Sequence, residues 1–80
     1  MNLLLGIHKL MRRYGKEEEQ YRLSIPNVYV NYGTTDINVF IEDGIGKVQF
    51  PLGYVYKLTA LSNLELFSIM DSIKKFYEIC

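Results

Sequence analysis

The sequence predicts an α+β domain, a two-layer sandwich in the order helix, antiparallel meander of three or four strands, helix. Apolar residues recur with a helical period near both ends, over residues 2–14 and 64–79. Between residues 21 and 58 they recur with a period of two, in short runs separated by Gly and Pro. Helices on one side of such a sheet cover one face and leave the other exposed. No linker or repeat is visible, so residues 1–80 are expected to form a single domain.

The first helix is predicted over residues 2–14. Its apolar stripe follows the i, i+3, i+4, i+7 spacing of an amphipathic helix and comprises Leu3, Leu4, Ile7, Leu10, Met11 and Tyr14. Gly15 is expected in the left-handed position that commonly ends a helix. The alternative is a helix that continues through residues 16–20 with a kink at Gly15.

The first predicted strand spans residues 21–32. Pro26 interrupts it, and because proline donates no ladder hydrogen bond, the segment is either one bent strand or two short strands. Residues 33–36, Gly-Thr-Thr-Asp, predict a turn. The next strand is expected over residues 37–42.

A hairpin follows, because Asp43-Gly44 lies between two alternating runs, the strongest short-range hairpin signal. Its partner strand contains Val48 and Phe50 and ends at the Pro-Leu-Gly of residues 51–53. Residues 54–58 are expected to form a further short strand or an extended segment.

The last helix is predicted to begin with a capping box, Ser62 as N-cap and Glu65 three residues later. Its expected apolar stripe is Leu66, Phe67, Met70, Ile73, Phe76 or Tyr77, and Cys80. On its polar face, Asp71 and Lys75 have the spacing of an i,i+4 ion pair.

Catalysis, cofactors and metals are not expected. His8 and Cys80, the only residues of their types, cannot supply a zinc site or a disulfide. We expect His8 at the surface or edge of the first helix and Cys80 at the edge of the core. Glu42 and Asp43 would point to opposite faces of a hairpin and cannot share a substrate. We therefore expect a protein that is not an enzyme.

Aromatic side chains are more numerous than one small core needs, with seven tyrosines and four phenylalanines. If Tyr14, Phe50, Phe67 and Phe76 fill the core, other rings remain for an open sheet face. Tyrosine is a preferred anchor at protein interfaces. The expected contact surface is Tyr29, Tyr32, Phe40, Tyr54 and Tyr56. The alternative is that these rings pack under the helices.

Charge gives a second, smaller candidate surface. Formal net charge is zero, which disfavours a general affinity for polyanions and favours self-association, so a homodimer is also expected. Arg12 and Arg13, with Lys9 and Lys16, form a basic cluster next to the glutamates 17–19. The cluster is either a solvated helix end or a secondary contact patch.

Two other functions fit the same residues. The strand aromatics, together with Lys47, Lys57 and Asn31, could stack bases as a single-strand nucleic-acid binder does. The order of elements matches the double-stranded RNA-binding domain, but Ser62-Asn63 stands where that family has phosphate-binding basic residues. A structural subunit of a larger assembly is the third option.

The chain also resembles a loose group of proteins. It has 80 residues, is rich in Ile, Tyr, Asn and Lys, and combines a hairpin at residues 42–47 with a flanking helix at residues 64–79. In this it resembles small proteins of bacteriophages and mobile elements, some of which block host defence enzymes, as anti-CRISPR proteins do. The resemblance implies an inhibitor or regulator that covers a host enzyme such as a CRISPR nuclease. A single cysteine gives no disulfide framework, which favours a reducing compartment, so a cytoplasmic location in a bacterial host is expected.

No membrane segment is expected. The apolar run at residues 1–7 is too short to span a bilayer and is interpreted as the start of the first helix.

Overall fold

The computed structural model describes residues 2–16, 20–31 and 33–78. Its elements in chain order are α1 (Leu3–Tyr14), β1 (Leu23–Val30), β2 (Gly33–Glu42), β3 (Ile45–Gln49), β4 (Val55–Lys57), a 3-10 turn (Leu58–Ala60) and α2 (Asn63–Tyr77). The four strands form one antiparallel sheet in the order β1-β2-β3-β4, a simple meander. The predicted fold class is confirmed.

The β2–β3 hairpin forms where Asp43-Gly44 predicted it. Glu42 pairs with Ile45 across a two-residue turn, and both turn residues have positive φ, 53° at Asp43 and 77° at Gly44. This is the geometry of a type I′ turn, whose twist matches that of the strands.

The turn predicted over residues 33–36 is wrong. β2 already begins at Gly33, which pairs with Val30, while Thr34 and Thr35 pair with Tyr29 and Val28. Hydrogen bonding to β1 outweighs the turn preference of these residues, and the connection is correspondingly shorter.

β1 is one bent strand, one of the two forms that Pro26 allowed. Its register with β2 shifts between Ile25 and Val28, and Asn27 there has a φ of 56°. The backbone N–H of Asn27 donates to the Asp36 carboxylate at 3.2 Å. The irregularity lets Ile25 and Val28 both point into the core although they are three residues apart.

The helices lie side by side and run in the same direction. Asn2 and Asn63, at the two helix N-termini, line one shallow cavity. At the C-terminal ends, the rings of Tyr14 and Tyr77 stack with centroids 5.7 Å apart. Among the described residues, neither helix is long and apolar enough to cross a membrane.

The core lies between these helices and one face of the sheet. Its buried members are Ile7, Leu10, Met11, Leu23, Ile25, Val28, Val30, Ile37, Val39, Ile41, Val48, Phe50, Leu58, Leu66, Ile69, Met70 and Ile73. Phe50 is in this set, as predicted, and Tyr14 packs at its border.

Phe67 and Phe76 were expected in the core, and both are about half exposed. α2 contacts α1 on one side and β1 on the other, so its buried face is centred on Leu66, Ile69 and Ile73. Phe67 and Phe76 fall beside that face. Tyr77 takes the inner position and donates its hydroxyl to the Ser24 carbonyl at 3.0 Å.

The start of α2 was predicted correctly, whereas the conformation of the residue that ends α1 was not. The capping box is confirmed: the Glu65 N–H donates to the Ser62 hydroxyl at 3.2 Å, and the Ser62 N–H donates to the Glu65 carboxylate at 3.1 Å. α1 ends before Gly15, but the expected left-handed conformation is wrong, because Gly15 is extended with a φ of −77°.

Candidate protein-binding surface

The strand aromatics do not share one face of the sheet. Tyr56 pairs with the core residue Val48 and therefore lies on the side that the helices cover. Phe40 pairs with Lys47 on the opposite, open face. Tyr29 lies on β1 and is exposed, while Tyr32 lies outside the described residues. The aromatic platform expected from the sequence is therefore not assembled by the described residues.

Phe40 is covered although no helix lies over it. The Arg22 guanidinium carbon is 4.3 Å from the centroid of the Phe40 ring, and Phe40 is only 5% exposed. A cation over an aromatic face is an attractive arrangement. Phe40 is thus shielded by an arginine rather than offered as a hydrophobic anchor.

Several exposed apolar side chains lie together where β3 leads into β4. We call it the β3–β4 surface and define it by Phe50, Pro51, Leu52, Tyr54 and Tyr56. Leu52 is 86% exposed, Tyr54 61% and Tyr56 47%. Together with Thr35, these residues line an open cavity of about 420 Å³.

A tight turn holds this surface in place. The Phe50 N–H donates to the Tyr54 carbonyl at 2.9 Å, and the Gly53 N–H donates to the Phe50 carbonyl at 2.8 Å. Gly53 has a φ of 91°, which glycine adopts without strain. The turn leaves Leu52 at its tip, pointing into solvent.

Phe50 joins the surface to the core. Its ring is buried and meets the Tyr56 ring edge to face, with centroids 5.7 Å apart and planes at 68°. This is a favoured geometry for two aromatic rings. Tyr56 is therefore fixed by packing as well as by strand pairing, so the surface is preorganised for contact.

The surface continues toward the N-terminus of α2. Phe50 and Tyr56 also line a second cavity of about 200 Å³ with Ala60, Leu61 and Glu65. The Glu65 carboxylate accepts hydrogen bonds from the Ser62 N–H and hydroxyl, both at 3.1 Å. Because the Glu65 carboxylate is engaged in capping α2, it does not make the neighbouring surface polar, and that surface is mainly apolar.

The two edges of the sheet differ. At the β1 edge, the Tyr29 N–H donates to the Ser68 hydroxyl of α2 at 3.1 Å. The β4 edge is exposed, but β4 has only three residues and ends in Lys57. Short, lysine-bearing edges resist the addition of another strand. Contacts at this end of the molecule would therefore come from side chains of the β3–β4 surface.

Arg12 and Arg13 lie apart from that surface. Both are exposed in the last turn of α1, and the Arg13 guanidinium carbon is 5.6 Å from the centroid of the Tyr14 ring. The β3–β4 surface borders the opposite, N-terminal end of α2. Because the helices run in the same direction, the two candidate surfaces do not merge. The glutamates 17–19 lie outside the described residues.

Sequence reasoning selected Tyr54 and Tyr56 but missed Leu52. A leucine between Pro51 and Gly53 occupies a turn that cannot bury it, and an apolar residue there is the signal that could have identified it. His8 was expected at the surface or edge of α1. It is partly buried against Gly46 of β3, as a residue at the edge of the helix can be.

No group of three or more His, Cys, Asp or Glu that could hold a metal ion occurs in the described part of the chain. Cys80 lies outside it. Comparison with known proteins gives no significant match to a protein-family model, a curated protein or a solved structure.

Proposed function

We propose that this chain is a non-enzymatic binding protein that acts through protein–protein contact at its β3–β4 surface. The observation that carries the proposal is the exposure of Leu52 and Tyr54 in a hydrogen-bonded turn and of Tyr56 in β4 beside it. Exposed apolar side chains are ordinary when they are scattered, but clusters commonly mark interaction sites.

The composition of the surface indicates the chemistry of its partner. Its five defining residues carry no charge, and its two tyrosines offer hydroxyl groups at the rim of large apolar rings. Tyrosine anchors of this kind carry much of the free energy of binding at protein interfaces. The partner should accept Leu52 in an apolar pocket and fill the cavity beside Phe50 with an apolar side chain of its own.

The biological role within this proposal is an inhibitor or regulator of phage type that covers a functional surface of a host enzyme. Support for that role comes from the resemblance described above, in length, composition and the combination of a hairpin with a flanking helix. A neutral chain is not suited to imitate DNA, so inhibition would depend on steric cover through the β3–β4 surface.

The test is affinity capture from a nuclease-treated host lysate, followed by a titration with the purified partner. The variant Leu52→Ser/Tyr54→Ser removes two exposed anchors without touching the buried Phe50. Losing an anchor of this kind costs about 2 kcal/mol or more, so affinity should fall at least about 30-fold. The matched control, Leu5→Ser/Phe76→Ser, removes two half-exposed apolar side chains from α1 and from the C-terminal part of α2 and should bind normally.

Normal binding by both variants would contradict the proposal, and so would an equal loss of affinity in both. Sedimentation of the protein without its partner tests for self-association. A dimer that dissociates in Leu52→Ser/Tyr54→Ser but persists in the control would show that the surface joins two copies of the chain.

A further inference from the structure

The open face of the sheet carries a line of cations that runs from the segment before β1 to β4. Lys47 pairs with Phe40 on one side and with Lys57 on the other. Arg22 lies over Phe40, and Lys16 pairs with Arg22 in an isolated bridge. Residues paired across strands point to the same face. We call Lys16, Arg22, Lys47 and Lys57 the basic row.

The arrangement opposes like charges directly. Lys47 faces Lys57, and Lys16 faces Arg22, and such cross-strand pairs destabilise a sheet. A lysine on an edge strand deters aggregation, which accounts for Lys57 alone. Protection of the edge does not explain why Lys47 lies opposite Lys57. It also does not explain the Lys16–Arg22 pair, which lies two strands away. A bound anion would relieve the repulsion in both pairs.

One carboxylate partly neutralises the row. Glu42 accepts a hydrogen bond from Lys47 at 2.6 Å, and this bond, with the charges of Lys47 and Arg22, holds its pKa below the usual range. Within the described residues, Lys16, Arg22 and Lys57 form no ion pair. Positive charge therefore predominates along the row although the whole chain is neutral.

Polar side chains lie next to the row. Ser24 pairs with Asn38, and Asn38 pairs with Gln49. One hydroxyl and two amide side chains therefore form a second row on the open face, parallel to the basic row. The Ser24 hydroxyl is 2.8 Å from the Asn38 amide oxygen. Arg, Lys, Ser, Asn and Gln are the side chains that commonly contact nucleic-acid phosphates and sugars.

We propose that the open face binds the sugar–phosphate backbone of a single-stranded nucleic acid, independently of its sequence. The basic row spans about 19 Å, four strand spacings of about 4.8 Å each, because Phe40 of β2 lies between Arg22 and Lys47. Phe40 is covered by Arg22, so the face lacks the central apolar anchor that a protein partner would require. A flexible strand can follow this flat face, and no described element projects from it to enter the groove of a duplex.

This site is separate from the β3–β4 surface, and its chemistry differs from the stacking on strand aromatics that the sequence suggested. Contacts to phosphates give an affinity that falls with salt, with a slope of about −0.7 per phosphate on a logarithmic plot for single strands. Four cations therefore predict a slope between about −2 and −3, since Glu42 competes for one of them.

The test is fluorescence anisotropy with a labelled 20-residue oligothymidylate at several NaCl concentrations. Wild type should show the slope given above, and Lys57→Gln should reduce its magnitude by about 0.7. Arg22→Gln/Lys47→Gln/Lys57→Gln should abolish binding while circular dichroism remains native. The matched control is Lys74→Gln, which removes an exposed lysine from α2 and should leave the slope unchanged.

Three results would overturn the proposal: no binding by wild type in 20 mM NaCl, equal effects of Lys57→Gln and Lys74→Gln, or tighter binding of a duplex or of polyglutamate than of the single strand. Leu52→Ser/Tyr54→Ser should bind the oligonucleotide normally. The failure of either proposal is therefore visible independently of the other.

Discussion

The imidazole of His8 in α1 lies directly against the backbone of Gly46 in β3. A Cβ atom at position 46 would be 2.6 Å from Nε2 of His8 and 2.8 Å from Cδ1 of Leu58. Both distances are shorter than normal carbon contacts. Gly46 thus gives His8 and Leu58 room to pack on the sheet, and the contact fixes how closely α1 approaches β3.

We predict that Gly46→Ala destabilises the domain. The added methyl group must displace both His8 and Leu58, and overpacking of this kind typically costs about 1–3 kcal/mol. Alanine would otherwise be slightly better than glycine within a strand, so the loss isolates the steric effect. The free energy of unfolding, measured with urea, checks the prediction.

A double-mutant cycle shows whether His8 is the residue that collides. His8→Ala removes the nearer obstacle, so the loss in the double variant His8→Ala/Gly46→Ala should be smaller than the sum of the two single losses. Strict additivity would mean that Leu58 alone opposes the methyl group, or that the backbone moves aside.

His8 also predicts how stability depends on pH. Partial burial, and to a smaller degree the charge of Arg12, lowers the pKa of His8 below its usual 6.5. The unfolded chain therefore binds a proton at a higher pH than the folded chain does. By linkage, the neutral imidazole makes its full contribution to the free energy of unfolding above about pH 6.5, the pKa in the unfolded chain. This contribution is lost as the pH falls through the lower pKa of the folded state.

Urea unfolding at pH 7.5 and at pH 5.0 measures this effect. Wild type should be less stable at the lower pH, and the difference should shrink in His8→Asn, which cannot titrate. Glu42 also has a lowered pKa, but its contribution is lost only at more acidic pH, below about 4.5. An unchanged pH difference in His8→Asn would assign the effect to another group.

Local chemistry made much of the fold predictable. The change of apolar period marks the helices and the sheet, and two short signals fix exact positions: Asp43-Gly44 for the hairpin turn, and Ser62 with Glu65 for the start of α2. Each signal depends on a few neighbouring residues, and at these two positions the tertiary structure agrees with it, unlike at the turn expected over residues 33–36.

Tertiary packing decided what the sequence left open. Alternation separates a strand into two faces but does not say which one the helices cover, and this choice places Tyr56 and Phe40 on opposite sides. The two neighbours of α2 likewise decide that Tyr77 is inside and Phe76 is half exposed. The candidate site was therefore predicted only in part: Tyr54 and Tyr56 were named for a surface whose tip, Leu52, was not.

The last prediction concerns Gly15, where the surrounding backbone leaves no room for a side chain. A Cβ atom there would lie 2.5 Å from the carbonyl oxygens of both Met11 and Tyr21. Both obstacles are backbone atoms, and Tyr21 and Gln20 already have positive φ values of 54° and 58°, which side chains such as theirs rarely adopt. The backbone at Gln20 and Tyr21 therefore has little freedom to yield.

We expect Gly15→Ala to cost at least about 1–3 kcal/mol, which for a domain of this size lowers Tm by roughly 4–8 °C per kcal/mol. The matched control is Gly6→Ala in α1. Among the described residues, its Cβ would meet only the side-chain sulfur of Met70, at 3.1 Å, and alanine favours the helix by about 1 kcal/mol. Gly6→Ala should therefore melt well above Gly15→Ala in a calorimetric scan. Equal melting temperatures would show that the chain around Gly15 relaxes as readily as a methionine side chain.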